Sequence, residues 1–210
     1  MGLTGSCGAP LDEERRFQLA LTGGGLRTDL SFGGDRQHLE EASAAVAFTW
    51  RPSALSLQFS LGAILGGSLT GALGDHDVKP GVVASASVGY TLLDGAGARP
   101  YLALGGTVSV ATAGTQSRTD PASRPQFTAT DLRASVVVGK RLFEVWLPYV
   151  GAAVFGGPAM WQGRTGSDVY HYRLTAGSSF SLPGHLELFV EVGFLGEQAV
   201  LGGLGYAFSP

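Results

Sequence analysis

The sequence predicts an all-β fold: a closed up-and-down antiparallel transmembrane β-barrel of about ten strands, with eight as the runner-up count. Three observations lead there. Apolar residues recur with period two along most of the chain. The opposite parity carries Ser, Thr, Gly and Ala rather than charges. The composition is glycine-rich and charge-poor, with 33 Gly among 210 residues and only 15% Asp, Glu, Lys and Arg, against an ordinary share of about 25%.

The expected strands follow in chain order. Phe17 to Gly25 and Ala42 to Trp50 show the alternation weakly. From Leu55 onward it is strict: Leu55, Leu57, Phe59, Leu61, Ala63, Leu65 and Leu69 take one parity, and Ser56, Gln58, Ser60, Gly62, Gly66 and Ser68 take the other. In a strand those parities face opposite sides of the sheet. Val82, Ala84, Ala86, Val88, Tyr90 and Leu92 repeat the pattern, as do Leu102, Leu104, Val108 and Val110. Weaker alternation runs from Thr128 to Lys140 and from Tyr149 to Gly157. Tyr170, Tyr172, Leu174, Ala176, Phe180 and Leu182 then oppose His171, Arg173, Thr175, Gly177, Ser179 and Ser181. Leu186 to Phe194 and Val200 to Phe208 complete the set. Short turns are expected at Arg51 to Ser53, Asp94 to Pro100, Arg141 to Pro148 and Leu182 to Gly184. Longer loops are expected at Thr28 to Gln37, Leu69 to Pro80, Ala113 to Arg124 and Gly157 to Asp168.

A soluble sandwich would turn its apolar face inward and a charged face outward. Here the non-apolar face is too small and too uncharged to meet water, so the apolar face is assigned to lipid and the small-residue face to a narrow interior. In hydrocarbon every backbone polar group needs a partner, so the sheet must close. About ten residues per strand, tilted about 40°, span roughly 25 Å, the height of such an apolar band.

Other classes are excluded on composition. No apolar run reaches the ~18 residues of a membrane helix. A net charge of −3 and a pI of about 5.8 argue against nucleic acid as a partner. Cys7 is the only cysteine, so no intrachain disulfide is available. Residues 1–15 are expected to form a flexible periplasmic tail, and residues 16–208 the barrel. Met1 to Ser6 matches a myristoylation pattern, and Leu3 to Cys7 resembles a lipoprotein cleavage site, which raises lipidation of Cys7. The charged and apolar stretches of an export signal do not precede Cys7, so the signal is expected to lie outside the chain as given.

Aromatic residues sit where a barrel needs interfacial anchors. Phe48, Trp50, Tyr90 and Phe180, with Phe17, Tyr206 and Phe208, are expected to face outward as a girdle at the short-turn end. Tyr170, Tyr172, Phe194 and Trp161 are expected near the other interface. Leu204, Tyr206 and Phe208 alternate outward in the last strand, with Ser209 and Pro210 following. This ending resembles the terminal assembly signal of bacterial outer-membrane proteins. With the alternation it makes residues 16–208 resemble the small, porin-like barrels of the OmpA, OmpX and OmpW type. The resemblance implies a bacterial outer-membrane location, short periplasmic turns, and two partners: outer-membrane lipid and, during biogenesis, the barrel-assembly machinery. Members of this group act as pores, adhesins, anchors or lipid-modifying enzymes.

Parity assigns Glu41, Asp131, Arg133, His171, Arg173, Glu187 and Glu191 to the lumen. Charges in so narrow an interior should pair, and Arg173 and Glu191 lie on the two strands of one hairpin. The leading expectation is a salt-bridged lumen in a non-enzymatic envelope protein that anchors surface loops or docks to a larger envelope assembly, with envelope proteins as partners and no cofactor. The alternative is a small-solute or ion pore. A second alternative is a rim-site hydrolase resembling the omptin proteases, built on Asp75, His76, Asp77, Asp168 and His171. Asp168 and His171 are three apart and so expected on opposite faces. The tripeptide Asp75-His76-Asp77 supplies too few ligands for a metal, so no metal site is assigned. Gly23-Gly24-Gly25 and Gly202-Gly203 lack the strand–loop–helix setting of a phosphate loop.

Overall fold

The computed structural model describes residues 16–209; the expectations for residues 1–15, including Cys7, lie outside the described residues. Twelve strands follow one another with no helix among the described residues. They are β1 (Phe17–Phe32), β2 (Asp35–Trp50), β3 (Leu55–Gly71), β4 (His76–Asp94), β5 (Tyr101–Ser117) and β6 (Gln126–Gly139). Then come β7 (Trp146–Gly156), β8 (Ala159–Trp161), β9 (Arg164–Asp168), β10 (Tyr172–Leu182), β11 (Leu186–Gly196) and β12 (Gln198–Phe208). All pairings are antiparallel, β7 pairs with β6 and β10, and β12 returns to β1 with Phe208 opposite Phe17. The result is a closed ten-strand barrel of β1 to β7 and β10 to β12.

The two remaining strands form a second, smaller closure. β8 continues β7 past Gly157 and Pro158 and stays paired with β6, Trp161 facing Phe127. β9 folds back and pairs with the far end of β1, Leu30 opposite Asp168. Strands β10, β11 and β12 stop short at this height, so β8 and β9 close the upper halves of β1 to β6 into an eight-strand ring.

The walls are longer than the alternation predicts, and most of the expected long loops are strand. The stretch from Thr28 to Gln37 is an unbroken hairpin with only Gly33 and Gly34 between strands, both in the left-handed region at φ 65° and 98°. The stretch from Leu69 to Pro80 reduces to a turn at 72–75, and Gly157 to Asp168 contains β8 and β9. Only residues 118–125 remain an extended connection on that side.

Alternation was missed there because its sense reverses. In β1, Leu19 and Leu21 point outward at 50% and 63% exposure, whereas Leu26, Leu30 and Phe32 point inward and Arg27 outward. In β3 a bulge at Leu65 and Gly66 performs the switch: Leu65 is outside, and Leu69, expected outside with it, is fully buried inside. Ten residue steps from Phe17 to Arg27, at about 3.3 Å each and the ~40° tilt usual for such barrels, correspond to about 25 Å along the axis. Below Arg27 the barrel is apolar outside, as lipid requires. Above it Arg27, His38, Glu40, Asp77, Lys79 and Arg164 face outward and the apolar side chains turn in, as water requires.

Aromatic side chains gather at the turn end. Phe17 stacks between Phe48 and Phe208 at 5.9 and 5.8 Å, and Tyr206 stacks on Phe208 at 6.3 Å. Trp50, Tyr90, Leu204 and Tyr206 are exposed, and Phe180 lies against Trp146 at 6.2 Å. Tyr172 is exposed near the other interface with Tyr170 edge-on at 6.3 Å. Trp161 departs from the expectation: it is 1% exposed and lies inside the small ring, because β8 belongs to the upper zone where aromatic side chains bury inward.

Candidate functional site: the barrel lumen

Three layers fill the interior. At the turn end the inner face carries Ser56, Ser60, Ser85, Ser87, Thr107 and Ser135, half-buried small residues. They bond across strands, Ser60 to Ser85 at 2.6 Å and Thr107 to Ser87 at 2.9 Å.

The middle layer is charged. Arg133 on β6 donates through Nη1 and Nη2 to both oxygens of Glu197, at 3.0 and 3.1 Å. The same guanidinium reaches Asp131 Oδ2 at 3.2 and 3.3 Å and lies 4.5 Å from the centre of the Phe155 ring. Arg173 on β10 bridges Glu197 at 2.8 Å and Glu191 at 3.0 Å. Tyr149 donates to Glu191 at 3.2 Å. Closer to the turn end, Gln18 and Ser179 each donate to Glu187 at 2.7 Å, and Arg51 donates to Gln18. Arginine suits this place because its planar fork serves two carboxylates at once.

Six of the seven residues assigned to the lumen by parity are buried there: Glu41, Asp131, Arg133, Arg173, Glu187 and Glu191. Asp131, Arg133, Arg173 and Glu191 meet through Glu197; Glu187 sits in its own cluster, and Glu41 stands apart on β2. His171 is a correction. It is exposed, with Nδ1 3.2 Å from the carbonyl of Phe155, because β10 begins only at Tyr172 and strand parity does not extend into the connection before it. Sequence reasoning missed Glu197, the hub, since it lies in the single-residue connection between β11 and β12. Extending the inward parity of Ala199 and Leu201 back by one step would have found it.

The upper layer is apolar. Leu30, Phe32, Leu39, Ile64, Leu69, Phe127 and Trp161 are all fully buried and pack together. Trp161 spans the ring: its indole donates to Thr115 at 3.0 Å, meets His76 edge-on at 4.8 Å and lies 5.8 Å from Phe32.

The rim residues weighed for hydrolysis are dispersed. His76 is buried under Trp161; Asp77 is outside and accepts from Arg118 at 2.8 Å, which holds its carboxyl below the usual Asp range. Asp168 is buried and bonded by Thr28, while His171 is on the outside. Among the described residues no group of three or more His, Cys, Asp or Glu is placed to hold a metal ion.

Closed antiparallel strands, a lipid-matched apolar band and an aromatic girdle define the fold class as that of the outer-membrane β-barrels. No family model matches the chain, and no curated protein matches it in sequence. Solved structures do. The translocator domain of the autotransporter NalP from Neisseria meningitidis aligns with a TM-score of 0.53 at 11% identity, over 92% of this chain and 88% of that one. The outer-membrane protease OmpT from Escherichia coli aligns with a TM-score of 0.52 at 13% identity, over 98% of this chain and all of the other. At such identities the likeness is one of fold.

Proposed function

We propose that the protein is an integral outer-membrane barrel with a closed lumen, a non-enzymatic envelope component whose wall, rather than its loops, meets its surroundings. The observation that carries this reading is the apolar layer: Trp161, Phe127, Phe32 and their neighbours fill the ring above the Arg133–Glu197–Arg173–Glu191 chain. An apolar core offers a hydrated ion nothing in place of its water. Of the two roles expected from the sequence, docking to a larger envelope assembly is favoured over anchoring of surface loops. Gly33–Gly34, 72–75 and Glu197 are too short to be displayed loops, and only 118–125 is longer.

A narrow cation pathway is the second reading, favoured by one feature. Six buried carboxylates, Glu41, Asp131, Asp168, Glu187, Glu191 and Glu197, face only Arg133 and Arg173 among the buried cations of the described residues. Recording from purified protein in planar bilayers separates the two. A closed barrel gives no unitary current at neutral pH; stepwise, cation-selective current would overturn the first reading. Crosslinking in native membranes tests docking, with envelope proteins joined to wall residues as the expected result.

A further inference from the structure

The two glycine clusters of the sequence, Gly23-Gly24-Gly25 and Gly202-Gly203, meet in the barrel wall, where β12 pairs with β1 and Gly202 stands opposite Gly23. Their two parities differ. Gly24 and Gly203 point inward, and a Cβ there would fall 2.2 Å from the carbonyl oxygen of Val200 and 2.6 Å from the Phe189 ring, so the packing of the wall requires glycine. Gly23, Gly25 and Gly202 point outward, toward lipid. A Cβ on any of them meets nothing closer than 3.5 Å, and none has a positive φ. Glycine weakens a strand by leaving no side chain to pack, and closure of the barrel does not require it at these three positions.

The outward glycines belong to a wider recess. Gly202, Gly23, Ala44 and Ala63 stand side by side on β12, β1, β2 and β3, and Gly25, Ala42 and Gly66 form the next row. The rows on either side are large: Leu204, Leu21, Val46 and Leu61 toward the turn end, and the Arg27–Glu40 pair on the other side. The cavity left in the outer wall measures about 780 Å³. Val192, Phe194 and Val200 stand along its edge as a shoulder, at 45%, 44% and 58% exposure.

Lipid gives no hydrophobic drive between two lipid-facing walls, so association there depends on close packing, which small residues permit. A recess beside an apolar shoulder is self-complementary. Two copies in one membrane, related by a twofold axis along the membrane normal near β12, set each shoulder into the other's recess. The size agrees. Four strands at about 4.8 Å spacing and six residue steps at about 3.3 Å make the recess about 15 by 20 Å, and a shoulder of equal extent brings the contact to roughly 600 Å² per copy, near the ~800 Å² of a standard interface. We propose that this face pairs two copies of the chain side by side in the outer membrane. The inference goes beyond lumen closure and does not depend on it, since its readout is association rather than current.

The test uses the full chain refolded into lipid vesicles, labelled at Cys7, its only cysteine, with energy transfer between donor and acceptor copies followed as lipid is added. The parent should show saturable transfer above that of random proximity. Gly23→Leu with Gly25→Leu fills the recess from positions that have room for a side chain, and should raise the dissociation constant at least about tenfold, the scale of overpacking a close contact. Val192→Ala with Phe194→Ala removes the shoulder and should act in the same direction, while heat-modifiable gel mobility shows both variants folded. In a Cys7→Ser background, oxidation should link Val200→Cys to a second copy but not Val108→Cys, which lies on β5 across the barrel. Parent copies without specific transfer, as a recess filled by acyl chains would give, would overturn the proposal. So would parent-like association in either folded variant, or linkage at Val108→Cys as strong as at Val200→Cys.

Discussion

Replacing Arg133 by Met tests the charged layer most directly. The substitution keeps length and contact with Phe155 but removes four N–H···O contacts, two to Glu197 and two to Asp131. A hydrogen bond to a charged group contributes about 1.5–3 kcal/mol, but the sum overstates the loss, because burying Arg133 itself was costly. Arg173 also still holds Glu197 at 2.8 Å. What remains is a carboxylate 2% exposed with half its compensation gone, for which breaking a buried pair suggests about 3–5 kcal/mol. Glu197→Gln alone should cost less, about 1–3 kcal/mol, since Arg133 keeps Asp131 and Arg173 keeps Glu191. The double variant should recover at least about 1.5 kcal/mol relative to additivity, as residues sharing one network do. Urea unfolding in lipid vesicles, followed by tryptophan fluorescence and by heat-modifiable gel mobility, measures all three. A loss under about 1 kcal/mol for Arg133→Met, or strictly additive losses, would show that the layer is hydrated and weakly coupled rather than a dry, shared network.

Three further outcomes are expected. Trp161→Ala should destabilise by about 3–5 kcal/mol through the cavity it leaves, and should also give the upper ring a measurable ion leak in the bilayer recording. The Asp77 carboxyl should titrate below an ordinary Asp and move upward in Arg118→Ala, as read by NMR in detergent micelles. Because its folded value is depressed, any stability from this pair is present above the ordinary Asp range and fades as pH falls through the depressed value. Its exposure keeps that effect small. Tyr206→Ala with Phe208→Ala should lower the fraction of protein assembled as a heat-modifiable barrel in cells; undiminished assembly would remove the role assigned to the final strand.

Much of the barrel was legible in the residues. Period-two alternation set the strand count, and the small, uncharged parity at Ser56, Ser60, Ser85 and Ser87 set the inside-out sense within the lipid band. The same parity found six buried lumen charges, since side-chain direction in a strand is fixed by position alone. It failed at His171 and Glu197 because both lie at strand ends, where parity depends on where pairing stops.

What the linear pattern determined was therefore local: which residues share a face, and which face tolerates hydrocarbon. The height of the wall, the eight-strand ring above the ten-strand one, and the meeting of Arg133 with Glu197, 64 positions away, were decided by closure of the sheet. The physical reason is the change of solvent along a single strand. Leu21 and Leu30 in β1 are equally apolar, yet one faces lipid and the other hides from water, and only the assembled barrel fixes where one medium ends and the other begins.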